Sequence, residues 1–128
     1  FVVPMLARKI WEAKQRDEST VEVWGTGKAI RDFLYVKDAA RGIVLALEKY
    51  DMPDPVNIGS GERISIRELA EFLAKLLGFK GELRFNASKP EGQMLRVMDT
   101  RRAEREFGFK ASTDLETGLE ATIKSYKF

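Results

Sequence analysis

The chain has 128 residues, of which 44% are hydrophobic and 33% charged, and it carries a formal net charge of +2. This composition is typical of one ordinary soluble globular domain, and it excludes an intrinsically disordered chain. The charge balance is too even to indicate nucleic-acid binding, although a ligand with one or two phosphates remains compatible with it.

The sequence contains no cysteine and no histidine. Their absence excludes disulfides, thiol nucleophiles, imidazole bases and most transition-metal sites, so we predict no metal centre. No apolar run approaches the roughly 18 residues needed to cross a bilayer, and no segment resembles a secretory signal. We therefore expect a cytoplasmic protein with neither a membrane nor a nucleic acid as partner.

The first predicted element is a helix from Pro4 to about Arg16, because apolar residues recur at helical spacing behind a proline that suits a first turn. Lys9 lies off the apolar stripe, either as a solvated surface lysine or as a ligand contact. A short strand follows, in which Val21 to Trp24 alternate. Trp24 ends that strand, where it either fills the core or lines a pocket.

The stretch from residue 25 to residue 38 organises the chain. Its opening turn contains Gly25 and Gly27, which permit backbone angles and close approaches that side chains forbid. Arg31 follows at the mouth of a short strand predicted over Phe33–Val36. Because a guanidinium can grip a phosphate through two parallel hydrogen bonds, we predict an anion-binding corner here.

A helix is predicted from Asp38 to about Lys49, and its apolar stripe comprises Ala39, Ala40, Ile43, Val44 and Leu47. Beyond a proline-rich turn, Val56–Ile58 is predicted as a short buried strand. The glycine loop at residues 59–61 resembles the start of a dinucleotide fingerprint. It lacks a third glycine, so a tight turn is favoured over cofactor binding.

The most secure predicted helix begins at the capping box Ser65–Glu68 and ends at Gly78. A strand is predicted over Leu83–Phe85. It leads into the loop 88–92, which is either a surface turn or a loop that presents Lys89 and Glu91 to a ligand.

The last two predicted elements are helices. Thr100 caps a short helix that Gly108 ends, and a second capping box at Thr113–Glu116 opens a final amphipathic helix through about Tyr126. The alternation of helices and short strands indicates a mixed α/β fold.

Two motifs carry a resemblance to a known family. The pattern Gly-x-Gly-x-x-x-Arg-Asp-Phe-x-Tyr-Val-x-Asp at 25–38 and the run Val-Asn-Ile-Gly-Ser-Gly at 56–61 resemble the second half of the extended short-chain dehydrogenase/reductase family. Its members are nucleotide-sugar epimerases, dehydratases and reductases. The run Ala-Ser-Lys-Pro-Glu-Gly at 87–92 is similar to the Ser-Lys-Pro-Asp-Gly run of GDP-L-fucose synthases. Those proteins usually continue with proline and two basic residues, of which this chain matches only Arg96.

The resemblance implies an α/β fold in which residues 1–128 form the C-terminal substrate-binding portion. The N-terminal Rossmann domain, which binds NAD or NADP, would then be a missing partner, and the start at Phe1 without a methionine leads us to expect a fragment. The helix after Asp38, the 56–58 strand and the final helix pack against that domain in relatives. We therefore expect the isolated chain to expose apolar faces and to dimerise, swap elements or aggregate.

The resemblance also implies a nucleotide-sugar site. Three basic residues would neutralise the substrate pyrophosphate, namely Lys9, Arg31 and Arg96. Trp24 would line the sugar or base pocket. The nucleoside would be held by Lys89 and Glu91, with glutamate replacing the usual aspartate.

No catalytic residue is predicted in this chain. Members of the family carry a Gly-x-x-Gly-x-x-Gly turn and a Tyr-x-x-x-Lys pair, and neither is present here. We expect an NAD(P)-dependent enzyme and homo-oligomer in the full-length protein, and no activity from the fragment alone. Two alternatives stay open: a 4-epimerase or 4,6-dehydratase acting on a UDP or dTDP sugar, and a stand-alone binding module without enzymatic activity.

Overall fold

The computed structural model describes residues 1–126, in which helices and short strands alternate. The helices are α1 (Val2–Gln15), α2 (Val36–Lys49), α3 (Ile66–Leu77), α4 (Arg101–Phe107) and α5 (Leu115–Ser125). The strands are β1 (Thr20–Trp24), β2 (Ile30–Arg31), β3 (Ile64–Ser65), β4 (Glu82–Asn86) and β5 (Leu95–Arg96). The predicted mixed α/β class is confirmed. Within residues 1–126 no helix has the length and apolar character needed to cross a membrane.

The strands form two small sheets. In the first, β1 lies parallel to β4, and Val23 is paired with Phe85. In the second, β2 is central, antiparallel to β3 on one side and parallel to β5 on the other. Strand β5 was not predicted, because its two residues show no pattern of their own.

The main core lies between α1, α3 and the first sheet. It contains Ala7 together with residues that the helical and strand periods predict to be buried: Leu6, Ile10, Ala13, Val21, Val23, Leu69, Ala70, Leu73 and Leu119. A fully buried leucine, isoleucine or valine side chain stabilises the fold by about 2 kcal/mol. Helix α5 joins this core through Leu119, so the final helix packs within the chain.

The capping box that starts α3 is confirmed. Ser65 Oγ accepts a hydrogen bond from the backbone N–H of Glu68 at 3.1 Å, and Glu68 Oε2 accepts one from the backbone N–H of Ser65 at 2.8 Å. Gly78 ends the helix in the left-handed region, with φ +67°, as predicted.

Helix α2 turns its apolar stripe outward. Its buried face instead consists of Asp38 and Gly42. A Cβ atom on Gly42 would lie 2.9 Å from the ring of Phe109, which belongs to a second apolar cluster with Ala103 and Phe107. On the opposite face Ile43, Val44 and Leu47 are exposed, Leu47 at 85%. This outward face agrees with the expected unpartnered surface.

Two predicted strands are wrong. Residues 33–35 have no regular structure, α2 begins at Val36, and the strand is the earlier pair Ile30–Arg31. Residues 56–58 also form no strand, although Val56 and Ile58 pack against the second cluster. Apolar and β-branched residues form a strand only where another backbone lies beside them, and no other described strand does so at either place.

Two predicted caps are also wrong. Thr100 makes no side-chain cap, and Asp99 Oδ1 instead accepts from the backbone N–H of Arg101 at 3.0 Å. Helix α5 is capped by Asp114, which accepts from the backbone N–H of Thr117 at 2.8 Å. Thr113 cannot open a capping box, because its backbone N–H donates to Asp38.

Candidate anion-binding site

Two arginines stand side by side at the parallel pairing of β2 and β5. Arg31 and Arg96 are register partners, and paired residues of parallel strands project from the same face of a sheet. Arg31 is half-buried and donates one hydrogen bond, from Nη1 to the backbone carbonyl of Ile30 at 2.8 Å. Arg96 is exposed. Among residues 1–126, no carboxylate lies within ion-pair distance of either guanidinium.

The glycine turn before β2 holds the side chain of Glu91. Glu91 Oε1 accepts a hydrogen bond from Thr26 Oγ1 at 2.6 Å. That bond, together with backbone N–H donors of the same turn, lowers the pKa of Glu91 below its ordinary value. Gly25 makes room for it, because a Cβ atom there would lie 3.0 Å from the Glu91 side chain. The carboxylate is therefore engaged by the protein itself.

Trp24 and Lys89 form an exposed pair at the end of β1. The Trp24 side chain is 55% exposed, which excludes the core alternative. Lys89 Nζ lies 5.7 Å from the centroid of the Trp24 ring, within cation–π range. An aromatic face and an ammonium group side by side can bind a base or a sugar that carries phosphate.

Lys9 lies beside this pair and is held by the protein. Its Nζ donates to the backbone carbonyl of Glu22 at 2.6 Å. The Glu22 carboxylate accepts a hydrogen bond from Asn86 Nδ2 at 2.9 Å. That bond, and then the charges of Lys9 and Lys89, lower the pKa of Glu22. Lys9 is thus less free than the two arginines to bind an added anion.

Five of the six predicted residues fall into two groups, and the sixth, Glu91, lies on the loop that joins them. Arg31 and Arg96 make the first group, while Lys9, Trp24 and Lys89 surround Glu22 in the second. Residues 88–92 link them, since Lys89 lies on Trp24 and a Cβ atom on Gly92 would lie 3.6 Å from Arg31 Nη2. The binding roles of all six residues stay predictions.

Sequence reasoning missed two polar residues of this region. The signal for Thr26 was available, because a hydroxyl between two glycines of a tight turn has room to bond to another segment. The signal for Glu22 was the strand period, which puts it on the same face of β1 as Trp24.

The glycine loop at 59–61 does not fit a dinucleotide phosphate. The backbone N–H groups of Ser60 and Gly61 already donate to the Asp32 carboxylate, at 2.9 and 3.1 Å, and the Ser60 hydroxyl donates to it as well. A Cβ atom on Gly59 would lie 2.5 Å from Asp32 Oδ2. The loop is a turn fastened to Asp32, as favoured from the sequence.

A groove of about 480 Å³ is present elsewhere on the described chain. It runs between the 32–36 segment and α5 and is lined by residues that include Phe33, Tyr35 and Leu119. None of the six predicted residues lines it, and its lining, which includes Asp32 and Asp114, contains no cation for a phosphate. The arginine pair and the groove are therefore separate features.

The fold and the motifs define a family. Residues 2–59 match the model of the NAD dependent epimerase/dehydratase family. The family match covers residues 2–59, and the similarity to curated relatives extends over nearly the whole chain. Within this family, the sequence is similar to GDP-L-fucose synthases, as the 87–92 run predicted. The probable GDP-L-fucose synthase 1 of Oryza sativa subsp. japonica is 39% identical over 125 residues, which are 98% of this chain and 38% of that protein.

Solved structures of two different nucleotide-sugar enzymes superpose on the chain. A GDP-L-fucose synthetase from Naegleria fowleri bound to NADP superposes with a TM-score of 0.88 and 28% identity, over 97% of this chain and 39% of that one. The UDP-glucose 4-epimerase of Thermotoga maritima with UDP-glucose superposes with a TM-score of 0.82 and 28% identity, over 97% of this chain and 38% of that one. The chain thus spans about two fifths of the length of these proteins.

Proposed function

We propose that this chain is the substrate-binding part of a GDP-L-fucose synthase-like enzyme that modifies a nucleotide sugar. The observation that carries the proposal is the Arg31–Arg96 pair on one face of the β2–β5 sheet. Two arginines that project from the same face of neighbouring strands, without a carboxylate partner among the described residues, place like charges together, and an anion bound between them would neutralise these charges. A diphosphate carries several oxygens and more than one negative charge, and guanidinium groups bind phosphate oxygens through paired hydrogen bonds.

The remaining predicted residues flank this anion site. Trp24 and Lys89 offer a ring face and an ammonium group for the nucleoside or sugar, and Lys9 adds positive charge beside them. Glu91 stands at the junction of the loop and the glycine turn. The proposed substrate therefore lies across the carboxyl end of β1 and the β2–β5 pair.

The full-length protein is proposed to be an NAD(P)-dependent epimerase/reductase. The family description and the NADP-bound relative support a nicotinamide cofactor. The 59–61 loop is not suited to bind this cofactor. We therefore propose that the cofactor and the reacting tyrosine lie in a segment that corresponds to the part of the relatives outside the match to this chain. Residues 1–128 alone should bind substrate weakly and turn nothing over.

A second candidate is a UDP- or dTDP-sugar 4-epimerase or 4,6-dehydratase. The superposition on a UDP-glucose 4-epimerase favours it, because the same fold serves a different base there. The arginine pair would have the same role in both candidates, since every nucleotide sugar contains the diphosphate.

The test is competition binding of GDP-, UDP- and dTDP-sugars to the full-length protein. We expect the GDP sugar to bind most tightly. Arg31→Ala should weaken that binding by about 2–3 kcal/mol, the value of a charge-assisted hydrogen bond, and should leave NAD(P) binding nearly unchanged.

Arg105→Ala is the matched control. Arg105 is an exposed arginine of α4 that pairs with Glu106, so its removal should leave sugar-nucleotide binding unaltered. Equal losses of sugar-nucleotide and NAD(P) affinity in Arg31→Ala would mean that Arg31 is structural. Preference for a UDP or dTDP sugar would favour the second candidate.

A further inference from the structure

The arginine pair depends on a strand that is too short to hold its own position. Strand β5 has two residues, and the backbone bond next to it joins the N–H of Ile30 to the carbonyl of Met94 at 2.7 Å. Longer strands owe their register to many such bonds and to a buried face. Leu95 and Arg96 are both exposed, so burial does not fix β5 either.

Glu91 supplies an anchor just before this strand. Its carboxylate accepts from Thr26 Oγ1 at 2.6 Å, and the same Thr26 oxygen accepts from the backbone N–H of Lys28 at 3.2 Å. The bond therefore ties the segment that leads into β5 to the turn that leads into β2. The other end of the pairing is held less firmly, since the backbone N–H of Met98 meets Asp32 Oδ2 only at 3.4 Å.

Space and charge both support this anchor. Gly25 allows the Glu91 side chain to pack directly on the turn, because any Cβ atom there would meet Glu91 Cβ and Cγ at 3.0 Å. A glutamate carboxylate is ionised at neutral pH, so the hydrogen bond from Thr26 is charge-assisted, and this bond is the main reason that the pKa of Glu91 is lowered.

We propose that Glu91 is a positioning residue, whose bond to Thr26 holds β5 against β2 so that Arg96 and Arg31 bind one diphosphate together. The inference rests on the proposed function for the identity of the anion. This positioning role replaces the predicted direct contact of Glu91 with the nucleoside. The carboxylate already accepts hydrogen bonds from protein groups, and a ribose would have to displace them.

The test separates positioning from direct contact with two probes, inorganic pyrophosphate and GDP. In the full-length protein, Thr26→Val removes the donor while leaving Glu91 intact. We expect this substitution to lower the affinities for pyrophosphate and for GDP by the same factor, about tenfold, which is the effect of losing one hydrogen bond to a charged group. Thr26→Ser keeps the hydroxyl and should restore both affinities to within about twofold.

Variants of Glu91 distinguish the positioning role from a direct contact with the nucleoside. Glu91→Ala should weaken pyrophosphate and GDP equally, and Glu91→Gln should lie between it and the unaltered protein, because the amide oxygen still accepts a hydrogen bond. If Glu91→Ala weakens GDP but spares pyrophosphate, or if Thr26→Val changes neither affinity, the positioning role is overturned.

Hydrogen exchange tests, in the absence of any ligand, whether the bond between Glu91 and Thr26 holds β5 in place. In Thr26→Val, the backbone amides of residues 94–97 should exchange at least several times faster than in Thr26→Ser, and unchanged exchange would overturn the inference. If the unaltered protein binds neither probe, the proposed function fails. The exchange comparison still tests the anchor in that case.

Discussion

Arg31 and Arg96 are paired in register across two parallel strands, so two guanidinium groups leave the sheet on one face. Like charges directly opposite each other in a sheet lower stability by about 0.2–1 kcal/mol. The protein therefore keeps an arrangement that costs free energy in the absence of an anion. This is the expected property of a binding site and not of a structural contact.

Arg96→Gln should separate stability from binding. Because the substitution removes the repulsion, we expect the free energy of unfolding to stay the same or rise by up to about 1 kcal/mol. The affinity for pyrophosphate should fall by about 1.5–3 kcal/mol. Chemical denaturation and calorimetric titration of the full-length protein measure the two quantities. A loss of stability alongside the loss of affinity would contradict the assignment.

Gly27→Ala should destabilise the turn far more than Gly108→Ala. Both glycines have positive φ, +77° and +70°, so both substitutions carry the left-handed cost of about 1–2 kcal/mol. A Cβ atom on Gly27 would also lie 2.6 Å from the ring of Phe85, whereas one on Gly108 meets nothing within 4 Å. We expect losses of about 2–4 and about 1 kcal/mol. Denaturant unfolding compares them, and equal losses would count against the packing of this turn.

Trp24→Ala should lower the affinity for GDP and leave the affinity for pyrophosphate unchanged. The ring is exposed and pairs with Lys89 at 5.7 Å, so it offers a stacking face to a base. Stacking of a base on an aromatic side chain stabilises a complex by about 1–3 kcal/mol. Titration with both probes checks this, and Trp24→Phe is the control that keeps a ring. A fall in pyrophosphate affinity as well would mean that Trp24 supports the arginine pair.

Asp38→Asn should destabilise the fold in a pH-dependent way. Burial alone would raise the pKa of Asp38, but bonds from Arg41, from the backbone N–H of Thr113 and from the Ser112 hydroxyl outweigh it and hold the pKa well below its ordinary value. At pH 7 we expect a loss of about 2–4 kcal/mol.

The sign of the pH effect follows from that lowered pKa. The stabilisation by ionised Asp38 is complete above the unfolded-state pKa, about 3.9, and is lost as the pH falls below it toward the folded-state pKa. The difference between the unaltered protein and Asp38→Asn should therefore shrink below about pH 4. Unfolding curves between pH 7 and pH 3 measure it, and a constant difference would contradict the role of the charge.

The outward face of α2 should make the isolated 128-residue chain self-associate. Ile43, Val44 and Leu47 form an exposed apolar stripe of the kind that seldom stays free in solution. The double variant Ile43→Lys with Leu47→Glu should restore a monomer. Light scattering of both chains tests this, and a monodisperse unaltered monomer with a cooperative melt would contradict it. Homo-oligomer formation by the full-length protein stays a separate prediction.

The expected helices and the glycine turn could be read from the sequence because their signals are local. Apolar residues that recur every three to four positions reveal a helix, and the capping box of Ser65 and Glu68 involves residues only three positions apart. The run at 25–38 likewise carries Arg31 and its glycines within a few residues. The family resemblance rests on the same local runs.

The strands at 33–36 and 56–58 were mispredicted because strand formation depends on a neighbour. Phe33 to Val36 have the composition of a strand, yet the other strands of the sheet pair only with Ile30 and Arg31. A local pattern records how well a residue suits a pleated surface. It does not record whether another backbone lies alongside.

By itself, the sequence determined the α/β class, the helices with most of their ends, and the candidate cations, since spacing and residue type carry that information. Only the tertiary structure decided that Arg96 lies beside Arg31, that Glu91 turns inward to Thr26, and that the apolar stripe of α2 points outward. These three outcomes depend on contacts between segments far apart in the chain. Such contacts are set by the packing of the whole and leave no local pattern.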